Sequence, residues 1–382
     1  MEQKVFLFSN CALINNKLFF VETQSGLLAN MNLEDGKIAF CPMLKGYFLR
    51  SGDIVDFICN YNNKIYALET SGKNIMIFDM EQNGFQEISL ECDFYEWGNF
   101  AAFERYNTSI YIFPKYKNSL FIMSVKDNKV TKVTDYFQNI DEVQCCCRIE
   151  NLVWILPKSV SKIGAYNLSN EELSVYDLNL IPEICVDAVN VDENIYFLNR
   201  YGIIYQWNTI NKKMKKLLTL ETEHIEEESM CKIISAGNKL VILPALGKNI
   251  KILNLLTYEV EIYQDYPIDF LYNDIKWSKY CGYCQDDENY YFAMRLSNYL
   301  LMIRKSDGNL SWIKPKIPLE NEKMKIQALY EEEKVRIYHN IGRTVFGEND
   351  INILTLSKAF PCNENNLLEG KQIGKIIYEK VK

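Results

Sequence analysis

Asn63–Leu90 reads NKIYALETSGKNIMIFDMEQNGFQEISL. Three short apolar runs stand out: Ile65, Tyr66 and Leu68; Ile75, Ile77 and Phe78; Phe85, Ile88 and Leu90. Each is β-branched or aromatic, and each is bounded by Gly, Asn, Asp or Ser, the pattern of strands joined by hairpins. Asp53–Cys59 (DIVDFIC) just upstream is a fourth run of the same kind. Four short antiparallel strands in about 45 residues form one blade of a propeller.

The layout repeats along the chain. The first apolar residue of the second strand falls at Leu18, Ile65, Ile110, Leu152, Ile195, Leu240, Tyr290 and Val335, at steps of 42 to 50 residues. Polar turn residues precede it each time, as in NNKLFF, NNKIYA, NTSIYI and DENIYF. About ten residues later comes a third strand and, after a turn such as LEDGK, LSNEE or KSDGN, a fourth. Gly, Asn and Asp suit such turns because they tolerate positive φ. The expected fold is all-β, a single propeller of four-stranded antiparallel blades over residues 1–358. Its units lie near 5–45, 53–91, 98–135, 141–178, 184–220, 229–264, 279–317 and 323–358. Eight units predict eight blades; the alternative is a seven-bladed ring with the weak eighth unit as an edge extension. In the tail, 359–382, Ile373, Ile376, Ile377 and Val381 have helical spacing and predict a short helix.

The polar turns and the third-to-fourth hairpins (IFDMEQNGFQEI, IKILNLLTYEVEIY) resemble Kelch-type repeats over roughly residues 5–358. That resemblance implies a propeller. The double glycine that Kelch repeats carry after the second strand is absent; FPK, LPK, LNR, LPA and AMR stand there instead.

Composition narrows the function classes. The chain has 382 residues, 48% hydrophobic and 24% charged, with a net charge of −8. The acidic balance argues against nucleic acid as the partner. Nothing approaches the roughly 18 uninterrupted apolar residues of a membrane helix. Twelve cysteines lie largely in strand-like runs, three of them consecutive (Cys145–Cys147), and read as small hydrophobes of a reduced, cytoplasmic, monomeric protein.

In a propeller the first strand of each blade lines a central channel. The second-to-third loops and the blade-joining loops converge on one rim, where ligands bind. The second-to-third loops carry Lys73, Lys115, Lys158, Arg200, Lys248, Arg295 and Arg343. Such a collar suits an anionic ligand, or it is a set of solvated loop charges. The blade-joining loops carry Asp93, Tyr95, Glu96 and Trp97, then Tyr266, Asp269, Tyr272, Trp277 and Tyr280. These are anchors for sugar rings or peptide side chains, or covers for the blade ends.

Catalytic patterns are sparse. His224 and His339 sit on different units, and Cys281-x-x-Cys284 has no second pair to complete a metal site. No Gly-rich phosphate loop or nucleophile elbow is present. Asp53, Asp56, Glu96, Asp141 and Asp187 lie near strand starts, where carboxylates of a glycosidase would sit. The sequence therefore predicts a non-catalytic scaffold for a protein, peptide or sugar ligand, without cofactor, metal, nucleic acid or membrane. The alternative is a carbohydrate-active hydrolase or lyase using channel carboxylates.

Overall fold

The computed structural model describes residues 6–316 apart from 23–27, 42–54, 70–73, 83, 91–99, 116–118, 134–142, 158–161, 179–184, 200, 222–229, 246–248 and 272–279. Among these, 28 strands, β1–β28 in chain order, form seven antiparallel four-stranded blades. Within each blade the strands pair in sequence order. The innermost strands are β1 (Phe6–Ile14), β5 (Val55–Tyr61), β9 (Phe100–Tyr106), β13 (Val143–Ile149), β17 (Cys185–Val191), β21 (Met230–Ala236) and β25 (Tyr280–Gln285).

Sequence pattern follows depth. Second strands such as β10 (Ser109–Pro114, SIYIFP) and β22 (Lys239–Pro244, KLVILP) are continuous apolar runs, buried from their second residue on. A strand covered on both faces needs no alternation. The fourth strands β8 (Gly84–Ser89) and β24 (Val260–Ile262) lie at the rim of the wheel and are largely exposed or half-buried.

The core is a series of layers between consecutive blades. Leu68 and Ile75 of blade two pack with Phe103 and Ile112 of blade three. Cys145 and Cys147 of blade four face Ala188 and Phe197 of blade five, whereas Cys146 faces back toward Ala102 of blade three. The triple cysteine thus obeys the period-two rule and serves two interfaces.

Each innermost strand carries a β-bulge at the same place. The register against the second strand shifts at Phe8/Cys11, Val55/Phe57, Phe100/Ala102, Val143/Cys145, Cys185/Asp187, Met230/Lys232 and Tyr280/Gly282. A bulge inserts one unpaired residue and re-aims the side chains beyond it. The sequence reading did not anticipate it.

The ring closes with seven blades, not the eight expected from the repeat count. Phe6 and Leu7 of β1 pair with Ser297 and Arg295 of β26 (Asn289–Ser297), so the first blade abuts the seventh and leaves no gap for another. Farther out, Lys37 and Lys316 form a parallel bridge, with Ile38 N–H donating to the Lys316 carbonyl at 2.8 Å. The eighth unit and the tail helix fall outside the described residues. The eighth unit's second-strand run, KVRIYH, also puts Arg336 where the other units keep a continuous apolar stretch.

Candidate functional site

The first residue after each bulge is the start of the channel wall. At that position stand Cys11, Phe57, Ala102, Cys145, Asp187, Lys232 and Gly282. Asp187 accepts the Ile233 N–H at 3.0 Å and the Lys232 ammonium at 3.4 Å, tying blade five to blade six. Burial pushes the Asp187 carboxyl up against the pull of these two donors. The Asp187 charge in turn holds the Lys232 ammonium above its ordinary range. At the ring closure, a Cβ on Gly282 would lie 1.1 Å from Asn10 Oδ1, so the Asn10 amide occupies the space a side chain there would need.

Two residues further along each inner strand, Glu104 and Cys147 share a level. Burial raises Glu104 to about 6, although the Arg148 guanidinium lies 3.8 Å away. Tyr283, across the ring on blade seven, is 43% exposed. Burial nevertheless raises its phenol, and the charges of Asp187 and Glu104 add to the effect. Tyr283 stands on an innermost strand, β25, partly open to solvent. The wall around Tyr283 thus draws on blades three, five and seven.

The hairpin end of the channel is basic. Arg105 lies over the Tyr61 ring at 5.8 Å and Arg148 over the Tyr106 ring at 5.5 Å, each guanidinium reaching back to the preceding blade. Arg148 also donates to the Arg105 carbonyl at 2.7 Å. These cations stand at the opposite end of the inner strands from the rim where the sequence placed its collar.

Of that collar, Lys115 is described. It is half-buried at the end of blade three's second strand, where its carbonyl accepts the Val143 N–H at 2.8 Å and its charge is felt by the Cys146 thiol. Arg295 lies in β26, with its backbone alone described. Lys73, Lys158, Arg200, Lys248 and Arg343 lie outside the described residues, as do Tyr95, Glu96, Trp97, Tyr272, Trp277, His224 and His339. Tyr266 and Tyr280 cover blade ends. The Tyr266 hydroxyl accepts the Ile250 N–H, its ring packs on Phe270 and Trp312, and Tyr280 is buried. Asp269 takes the Tyr299 hydroxyl and the Lys314 ammonium. The Cys284 thiol meets Cys11 of blade one at 3.5 Å. No group of three or more metal-ligating side chains occurs among the described residues. Of the carboxylates named from the sequence, Asp187 is in the channel wall. Glu104 was missed because nothing in FAAFERY distinguishes a channel glutamate from a solvated one.

Fold and channel together define a seven-bladed β-propeller. No protein-family model matches the sequence, and no curated protein matches it. The likeness is to solved structures. A streptogramin B lyase aligns with TM-score 0.57 at 12% identity, over 82% of this chain and 96% of that one. YCF48 bound to D1 peptide aligns with TM-score 0.56 at 8% identity, over 79% and 92%. PorZ, a surface component of the type-IX secretion system of Porphyromonas gingivalis, aligns with TM-score 0.56 at 13% identity, over 83% of this chain but 39% of that one. These likenesses define the propeller and no subclass of it, Kelch included.

Proposed function

We propose that this propeller is a binding scaffold that takes a protein or peptide partner at its channel. The observation that carries the reading is the commitment of Asp187. Its carboxylate is held by Lys232 and by the Ile233 N–H, so it fixes two blades rather than standing ready to move a proton. Around it, Tyr283, Lys232 and the arginines of the hairpin end offer donors at fixed positions to a polar ligand. A protein of similar fold, YCF48, is described with a bound peptide, in keeping with this reading. In this reading the protein is a cytoplasmic monomer, a setting suited to its many strand-borne cysteines.

A photo-crosslinking residue at Tyr283, with the outer-strand position Ile262 as control, tests this in native lysate. The expected outcome is a defined peptide segment captured from 283 but not from 262. Its synthetic copy should bind the wild type and lose affinity with Tyr283→Ala. Identical capture from both positions overturns the reading.

The second reading is a hydrolase or lyase, and Glu104 favours it. A carboxyl held near 6 suits a general acid at neutral pH. It expects glycan turnover that Glu104→Gln abolishes.

A further inference from the structure

On the hairpin side of the ring, away from the channel, blades four and five enclose an aromatic pocket of about 280 Å³. Trp154 and Trp207 meet edge to face at 5.0 Å, and Tyr176 closes the set at 5.9 and 5.8 Å from them. Inside sits an ammonium. Lys212 Nζ lies 4.1 Å from the Tyr176 ring centre, 5.1 Å from that of Trp207 and 5.6 Å from that of Trp154. Three electron-rich faces around one cation is the arrangement by which proteins hold quaternary and alkylated ammonium groups.

The position of Lys212 shows how it came to be there. The turn between third and fourth strands puts one residue at positive φ in nearly every described blade: Gly36, Asn128, Glu171, Lys212, Tyr258 and Gly308. At Glu171, Lys212 and Gly308 that residue stands against the third position of the preceding blade's second strand: Tyr111, Trp154 and Val241. Glu171 accepts the Tyr111 hydroxyl at 3.2 Å, and a Cβ on Gly308 would lie 3.6 Å from Val241. Between blades three and four this contact is a direct hydrogen bond. Between four and five it is a lysine in a left-handed conformation, which costs about 1 kcal/mol relative to glycine. A cavity remains beside it.

The Trp154 and Trp207 indole N–H groups are buried and have no acceptor among the described residues. Glu172 and Asp192 line the same pocket, yet neither lies within ion-pair distance of Lys212 among the described contacts.

We propose that this pocket is a receptor for an organic cation, an alkylated ammonium group, and that Lys212 is its built-in competitor. A ligand cation displaces the Lys212 ammonium from the three rings, and Glu172 and Asp192 balance its charge. The turn conformation of Lys212 is not needed for this, so its side chain can leave without unfolding the hairpin.

Choline and its neutral tert-butyl isostere are the probes, read by tryptophan fluorescence and calorimetry on the full chain. Lys212→Gly and Lys212→Asn both suit the positive φ, so either variant serves if the other fails to fold. The expected result is saturable choline binding about tenfold tighter in the variants than in the wild type, since the competitor is gone. The isostere should not bind, and adding Glu172→Gln should weaken choline. The proposal is overturned if folded variants bind neither probe, bind both equally, or bind choline no better than the wild type.

Discussion

Glu104 carries its charge against its surroundings. Its side chain is 27% exposed, and burial raises its carboxyl from an ordinary value of 4.5 to about 6. The folded state then holds this proton more tightly than the unfolded chain does. Its stability contribution is greatest below pH 4.5 and declines as pH rises toward 6, by about 2 kcal/mol in all. Glu104→Gln should flatten that slope and raise the urea midpoint at pH 7.5, less whatever Arg148 loses. Urea titrations of both proteins at a series of pH values check this. Asp187 and Lys232 behave differently, because each is the other's partner. Lys232→Met leaves a buried carboxylate with only the Ile233 and Ala188 N–H groups as donors, and should cost about 3 kcal/mol. Adding Asp187→Asn should recover much of that loss. If the double variant shows the two losses simply added, the pair is not coupled.

The hairpins are the elements most plainly written in the chain. Two-residue loops join first and second strands in six blades, as at Tyr61–Lys64 and Tyr106–Ser109. Their first loop residue sits at positive φ in Asn15, Asn62, Asn107, Glu150, Asp192 and Gly237. Five of these six are Asn, Asp or Gly, which is why the turns were legible. Glu150 is the exception at φ 51° and bears the steric cost of that region without the local compensation of Asn. Glu150→Gly should therefore stabilise the protein by about 1 kcal/mol in thermal or urea unfolding. The third-to-fourth turns use a second device. Asn32, Asp79, Asn167, Asn208 and Asn254 end their strands and accept the N–H two residues on with their side-chain oxygens. The bulges have no comparable signature. Ala101, Gln144, Val186 and Cys231 share no chemistry, because the extra residue is set by how inner strands crowd the axis rather than by its own propensity.

At the scale of the molecule, stability depends on closing a ring whose last and first blades are each complete. Among the described residues no strand is shared between them, and the join is the β1–β26 pairing and the clasp around Gly36. Gly36 has φ +72°, and a Cβ there would lie 2.3 Å from the Lys314 carbonyl oxygen. Neither the backbone nor that oxygen can give way cheaply. Gly36→Ala should cost about 3 kcal/mol and expose the junction to limited proteolysis. Gly84→Ala, where the nearest atom is 4.0 Å away and φ is ordinary, should leave unfolding nearly unchanged. Equal effects at the two glycines would show that the clasp does not hold the ring.

The blade is legible in the local sequence. Period, strand number and hairpin chemistry are local properties, fixed by residues within about 45 positions of one another. The sequence also placed Asp187 near a strand start, where the channel wall lies. The number of blades is set in three dimensions, because closure depends on the angle between neighbours and on Phe6 pairing with Ser297, contacts that no local pattern encodes. The tertiary structure alone assembled Glu104 with Tyr283, and Trp154 with Lys212. Each of those side chains lies on a different blade from its partner: closure of the ring sets Glu104 across from Tyr283, and the packing of consecutive blades brings Trp154 to Lys212.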